Sequence, residues 1–415
     1  MLVTVPVHDT RSLDDYAEHA GPEAVERLRE AAAPLAGARV VNISSTAFGG
    51  GVAELLPTQI AILRDLEIDA EWRLIEGSEE FFSVTKLVHN ALQGAGVPWT
   101  EAMEDIYLER LVANAARFEG DADYVIVHDP QPLGLLPLVE EAGKRRGRWV
   151  WRCHIDLSHP METVWGFFSA YAGTYDATVF TLDEFVRDGA GDNVHIIPPS
   201  IDPLSPKNAY LDDEAVLEIL TSYGIDPGRP IVTQVSRFDP WKDPLGVIDA
   251  FRRAREEVPG IQLIMVGSLA HDDPEGWHYL ELTEEHRDED PDVHILTNLQ
   301  NVGSHAVNAF QRASTVVVQK SLREGFGLTC SEAMWKQRPV IVGGVGGLRL
   351  QVDDGESGFL VDSVDACAGR LVELLGDEDR RARMGKAAKE RVRQAFLSTR
   401  EVEDHVRLLA DLEAG

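Results

Sequence analysis

Apolar residues along the chain gather in short runs rich in Val and Ile, set between longer stretches of helical periodicity. In the first half these runs lie at 39–45, 70–75, 123–128, 148–153, 177–181 and 194–197. They are nearly continuous rather than alternating, the pattern of strands covered on both faces. Segments 57–66 and 100–118 read as helices between them, so the order is that of βα units feeding a parallel sheet. Residues 198–206, Pro-Pro-Ser-Ile-Asp-Pro-Leu-Ser-Pro, place four prolines in nine positions. Neither a helix nor a central strand continues through such a stretch, which marks a hinge or a plain surface loop. The alternation then restarts, with strands expected at 230–236, 261–267, 292–296, 314–319 and 339–342 and helices at 246–257 and 328–336. Residues 377–412 read as helix.

The pattern predicts an α/β protein of two doubly wound, Rossmann-like parallel-sheet domains facing a central cleft. The boundaries are expected at 1–200 and 201–395, with 396–415 a terminal helix packing back on the first domain. In open sheets of this kind ligands bind outside the carboxyl ends of the strands, so residues just after each strand carry the candidate chemistry. The acidic stretch 283–292 reads as a solvated turn.

Charge narrows the choice of ligand. The 415 residues include 39 Lys and Arg against 70 Asp and Glu, a net charge of −31, while 44% of residues are apolar. A core is therefore affordable, and a general nucleic-acid or anionic-membrane surface is excluded, because both draw on summed basic charge. An anion would have to be held by a few local donors. The three cysteines, Cys153, Cys330 and Cys367, are scattered without metal-like spacing, which suits a reducing compartment. With no leader-like start and no long apolar run, the expectation is a cytoplasmic protein.

The stretch from Arg323 to Ala333 follows a strand and opens a helix. Its glycines, Gly325 and Gly327, let free N–H groups of the helix start approach a ligand. Glu324 lies just before that helix and Glu332 about two turns into it, so the two carboxylates either meet different parts of one elongated ligand or lie in a solvated loop and on an exposed helix face. Arg237 and Lys242 follow the first strand of the second half and suit a diphosphate, one as a bidentate clamp and one as a point charge. Gly49, Gly50 and Gly51 follow the first long strand, where a bare backbone can come close to a ligand or merely turn. His128-Asp129 and His154-Ile-Asp156 end consecutive strands. Metal spacing, a nucleophile elbow and a Walker lysine are all missing, and the glycine pattern is not that of nicotinamide binding.

These motifs, Glu324-x7-Glu332 around Gly-Phe-Gly, Arg237 with Lys242, and the Gly49–Gly51 loop, resemble the retaining GT-B glycosyltransferases of the sucrose-synthase and glycogen-synthase type (glycosyltransferase family 4). Longer strings at 45–54, 76–82, 128–132, 151–156, 237–242 and 270–277 resemble more narrowly the trehalose glycosyltransferring synthases, and fungal-type trehalose phosphorylases share several of them. The resemblance implies that Arg237 and Lys242 stabilise a departing nucleoside diphosphate. It implies that Glu332 takes the ribose hydroxyls and Glu324 the glucose 3- and 4-hydroxyls, beside the amides of Gly325, Phe326, Gly327 and Leu328. His154 would touch the donor glucose near the reacting carbon, Asp129 would lie on the acceptor side, Asp156 would bind substrate, and the Gly49–Gly51 loop would approach the phosphate and sugar. No cofactor is required, although a divalent cation such as Mg2+ would be compatible. The partners are then nucleoside diphosphate-glucose, glucose and trehalose, with a homodimer compatible with the sequence. Two other readings remain: a trehalose phosphorylase using orthophosphate, and a two-lobed sugar- or nucleotide-binding protein without turnover.

Overall fold

The computed structural model describes residues 2–8, 11–48, 50–269 and 274–414. The chain divides into two compact units, one of residues 1–200 with 398–415 and one of residues 201–397. It therefore passes between them twice.

The first unit holds a seven-stranded sheet. Its strands are β1 (Val3–Thr4), β2 (Arg39–Ser44), β3 (Asp69–Leu74), β4 (Tyr124–His128), β5 (Arg148–Arg152), β6 (Ala177–Phe180) and β7 (Val194–Ile196), in the order β1-β3-β2-β4-β5-β6-β7. All pairs are parallel except β1 with β3, which is antiparallel. Two residues are too few to register as an apolar run, which is why the pattern misses β1. Val40, Val41, Val125, Trp149, Val150 and Trp151 are fully buried although neighbours in a strand face opposite ways; helices therefore cover both faces. Tyr107, from the helix Glu101–Arg117, sits in this core and fixes the loop after β4. Its hydroxyl donates to the Pro130 carbonyl at 3.0 Å and accepts from the Gly134 amide at 2.9 Å.

The second unit holds six strands, all parallel: β8 (Ile231–Val235), β9 (Gln262–Gly267), β10 (Val293–Thr297), β11 (Val316–Gln319), β12 (Val340–Gly343) and β13 (Phe359–Val361), in the order β10-β9-β8-β11-β12-β13. Leu263 and Met265 belong to one apolar cluster, and Ile264 and Val266 to another. Alternate residues of β9 thus feed two cores, the signature of a doubly wound sheet. β13, only three residues long, escapes the sequence pattern.

Two expectations are corrected. The stretch 377–412 is not one helix but two, Glu378–Ala395 and Ser398–Ala414. Between them the Phe396 carbonyl accepts from the Ile201 amide at 2.9 Å, and Leu397 pairs with Ile201, so a strand-like contact interrupts the helix. The acidic stretch 283–292 is not a solvated turn throughout. Its first residues finish the helix Pro274–Arg287, while Asp290 and Asp292 receive Arg255 at 2.8 and 3.1 Å. The helix Ser398–Ala414 packs within the first unit against Pro22–Ala32. Among the described residues no helix is long and apolar enough to cross a membrane.

The helix Glu378–Ala395 also packs on Leu328–Trp335, and the contact depends on Gly385: a Cβ there would lie 2.1 Å from the Gln337 carbonyl oxygen. Gly385→Ala should lower unfolding stability by about 1–3 kcal/mol through overpacking. A denaturant midpoint unchanged from wild type would contradict the packing described.

Candidate active site

Each unit gathers polar groups beyond the carboxyl ends of its strands. In the second unit, Asp239 caps the short turn Pro240–Lys242, its Oδ1 accepting from the Lys242 amide at 3.1 Å. Lys242 is thereby aimed at Glu324: Nζ donates to Oε2 at 2.6 Å, with both side chains largely buried. Ser321 Oγ donates to the same oxygen at 3.2 Å. Two residues singled out for different parts of one ligand thus hold each other. Arg237 lies 3.1 Å from Asp239; its own side chain is 55% exposed, whereas the carboxylate is buried.

Gly325, Phe326, Gly327 and Leu328 form the approach to the helix Leu328–Trp335, which no side chain caps at its start. Gly327 has φ +86°, a conformation open mainly to glycine. Phe326 is buried against Phe396, with ring centroids 5.5 Å apart. The backbone here rests on Gly347, where a Cβ would come within 2.5 Å of the Phe326 Cα. Glu332 corrects the exposed-face alternative: it is 3% exposed. Its Oε1 lies 4.0 Å from Lys207 Nζ, and its Oε2 has no hydrogen-bond partner among the described residues. A buried carboxylate oxygen without a donor is costly, and a ligand hydroxyl would relieve it.

Below Glu332 lies Lys336, which the sequence reading did not single out. Its Nζ donates to Asn208 Oδ1 and Gln311 Oε1, each at 2.8 Å, and to the Glu332 carbonyl at 3.1 Å. Burial pushes its pKa down to about 7, and Glu332 opposes the shift.

In the first unit, Gly49 lies outside the described residues. Gly50 has φ +81° and precedes the helix Gly51–Asp65, which opens at Gly51 and takes Pro57 in its interior. The helix thus starts six residues before the expected position. Asp129 is a non-glycine residue at φ +65°. Its amide donates to the Arg152 carbonyl at 2.9 Å, its carbonyl accepts from Trp151 Nε1 at 3.0 Å, and its Oδ1 accepts from the His154 amide at 2.8 Å. Burial raises its carboxyl pKa to about 6, against the His154 amide and the Arg152 charge. Asp129 therefore ties β4 to the loop carrying His154. Asp156 is buried, and its Oδ1 accepts from the Ser158 amide at 2.8 Å.

His154 Nε2 is 3.0 Å from His128 Nδ1, and His128 Nε2 is 3.0 Å from Asn42 Oδ1. Burial, assisted by Arg152 and His405, holds both imidazoles well below their ordinary pKa. Asn42 was not anticipated, because an asparagine inside an apolar run carries no chemical signature of its own. Among the described residues no group of three or more His, Cys, Asp or Glu side chains is arranged to hold a metal ion.

The depressed pKa of Lys336 fixes a pH signature. Between about pH 7 and the ordinary lysine value of 10.5, the unfolded chain keeps the proton that the folded chain has lost. Stability contributed by this residue should therefore rise with pH across that window, and its full penalty applies below it. In Lys336→Met the unfolding free energy should lose that rise; an equally steep climb in the variant would rule the linkage out.

With this geometry in place, kinship can be weighed. Residues 42–187 match the family described as trehalose synthase, N-terminal domain, and residues 217–391 match glycosyl transferases group 1. The chain is 47% identical over 402 residues to the trehalose synthase of Thermococcus litoralis, spanning 96% of this chain and 97% of that one. It is 28% identical to the trehalose phosphorylase of Pleurotus pulmonarius over 90% of this chain, but over only 57% of that protein. Among solved structures, a sucrose-phosphate synthase from Thermosynechococcus elongatus matches with a TM-score of 0.70 at 19% identity, over 91% of this chain and 99% of that one. Two parallel-sheet units, both family matches and near-full-length identity agree: the chain belongs to the trehalose synthase family of GT-B glycosyltransferases.

Proposed function

We propose that the protein transfers glucose from a nucleoside diphosphate-glucose to free glucose, forming α,α-trehalose with retention at the donor carbon, and that the reaction is reversible. The observation that carries the donor assignment is the buried Glu332, whose Oε2 lacks a donor among the described residues and suits a ribose hydroxyl. The diphosphate falls to Arg237 and Lys242. Because Lys242 is paired with Glu324, donor binding exchanges one partner for two. Lys242 turns to the phosphate oxygens, and Glu324 accepts from the glucose 3- and 4-hydroxyls. The amides of Gly325 to Leu328 lie alongside. His154 meets the glucosyl group, and the acceptor glucose lies near Asp129, whose Oδ1 serves the backbone while Oδ2 remains for a sugar hydroxyl. Asp156 and the Gly49–Gly51 loop lie beside them.

In the transfer, the bond from the anomeric carbon to the diphosphate oxygen breaks as the acceptor hydroxyl oxygen bonds to the same face. The hydroxyl proton passes to the departing diphosphate. Charge grows on that diphosphate as the bond lengthens, so positioned cations act mainly in the transition state. No step is routed through a protein-bound cofactor.

The similarity to a phosphorylase favours one rival, in which orthophosphate takes the place of the diphosphate. Incubating the enzyme with trehalose and either orthophosphate or ADP, UDP or GDP separates the two. Nucleotide sugar should form only with a diphosphate, whereas glucose 1-phosphate formed from phosphate alone would reverse the assignment. Within the proposed site, Glu332→Ala should raise donor KM about ten- to a hundredfold, the worth of hydrogen bonds to a charged group. Lys242→Ala should instead lower kcat by about 10²–10³-fold. Wild-type kinetics in both variants would remove these residues from the site.

A further inference from the structure

The register of the first sheet builds a staircase across three strands. Asn42 of β2 pairs with Ile126 of β4, and two residues beyond Ile126 stands His128. His128 pairs with Arg152 of β5, and two residues beyond Arg152 stands His154. Side chains two apart face the same way along a strand, so each step brings the next polar group alongside the last. Both contacts are 3.0 Å long. Asn42 and His128 are 2% and 3% exposed, so neither exchanges its partner freely with water.

An amide oxygen only accepts, so His128 Nε2 must carry the proton it directs at Asn42 Oδ1. A neutral imidazole then has a lone pair on Nδ1, and the nitrogen facing it, His154 Nε2, must be the donor. We propose that Asn42 and His128 are positioning residues that hold His154 in the Nε2–H tautomer, so that its Nδ1 presents a fixed acceptor to a hydroxyl of the glucosyl group. The identity of that hydroxyl's owner rests on the reading under Proposed function; the tautomer does not. Donor and acceptor along the staircase reverse together if Asn42 turns its amide, so one buried side chain sets what the outermost ring offers.

The relay requires both rings to stay neutral, since an imidazolium at His128 would direct a second N–H at His154 Nε2 and force that ring into the opposite tautomer. The groups acting on the pair agree with this. The charge of Arg152 disfavours protonation of both rings, as does His405 of the terminal helix. Of the acids in this region, Asp129 accepts from the His154 amide through Oδ1, and Glu401 accepts from Ser200 Oγ at 2.5 Å through Oε2.

The test uses the full chain with 15N-labelled histidine side chains, the His154 signals being assigned with His154→Gln. In the wild type, His154 should show a protonated Nε2 and a lone-pair Nδ1. Asn42→Asp should reverse this, because a carboxylate charges His128, whose Nδ1–H then donates to His154 Nε2. Turnover at neutral pH should fall about ten- to a hundredfold, the usual scale for losing a supporting partner. Donor KM should change little, and kcat should recover as pH rises and His128 loses its added proton. His128→Gln, whose side-chain oxygen still accepts from His154, should retain more activity than His128→Leu, which keeps the test valid if the Asn42 variant fails to fold.

A wild-type His154 carrying its proton on Nδ1 overturns the relay. So does an Asn42→Asp enzyme with wild-type tautomer and wild-type kcat while His154→Ala is impaired. Wild-type turnover in His154→Ala overturns instead the glucosyl contact assigned to His154, and the spectrum still decides the tautomer.

Discussion

Parallel pairing of β4 with β5, in the register that sets His128 opposite Arg152, is the constraint on which the first unit's chemistry depends. A shift of one residue would turn His128 to the other face of the sheet and break its contacts with both Asn42 and His154. Three backbone and side-chain bonds through Asp129 lock the register where the strands end. Strand ends are otherwise where pairing frays, so this lock holds the loop carrying His154 against the end of β4. The left-handed backbone of Asp129 is the local cost of that lock, of order 1–3 kcal/mol for residues in sparsely populated regions.

In the second unit the organising principle is charge pairing. A chain with a net charge of −31 opposes an anionic ligand at long range, and each cation near the site has an acid nearby. Lys242 pairs with Glu324, Arg237 with Asp239, Lys320 with Asp243, and Lys207 stands at the edge of reach of Glu332. Unpaired buried cations would be costly before any ligand arrived. Pairing offsets that cost, and in the proposed function donor binding becomes an exchange of partners. The Arg237 guanidinium is largely in solvent, whereas the Lys242 ammonium is not.

Much of this architecture was legible in the residues. Continuous apolar runs such as 230–236 and 261–267 announced strands buried on both faces, because burial of both faces permits no polar alternation. β1 and β13 were not legible, since two or three residues make no period. The break at Phe396 was hidden for another reason: Arg, Glu, Leu and Ala favour helix locally, and only the contact with Ile201, almost two hundred residues away, overrides them. Among the candidate site residues, Arg237, Lys242 and Glu324 stood out as charges after strands and Glu332 as an acid in the helix that follows. Asn42, Lys207 and Lys336 did not. An asparagine in a strand and a lysine in a loop or at a helix end look ordinary until the fold sets them beside an imidazole or a buried carboxylate.

The sequence by itself determined the class of fold, the places where chemistry could collect and the family, because periodicity and short motifs are local properties of the chain. Which of those residues hold each other was decided by tertiary structure alone. The pairing of Lys242 with Glu324, the orphaned oxygen of Glu332 and the staircase from Asn42 to His154 all depend on strand register and on burial. These are long-range quantities: hydrogen-bond partners lie tens of residues apart along the chain, and the low polarizability of the packed interior, not residue type, sets what a charge or a lone pair is worth there.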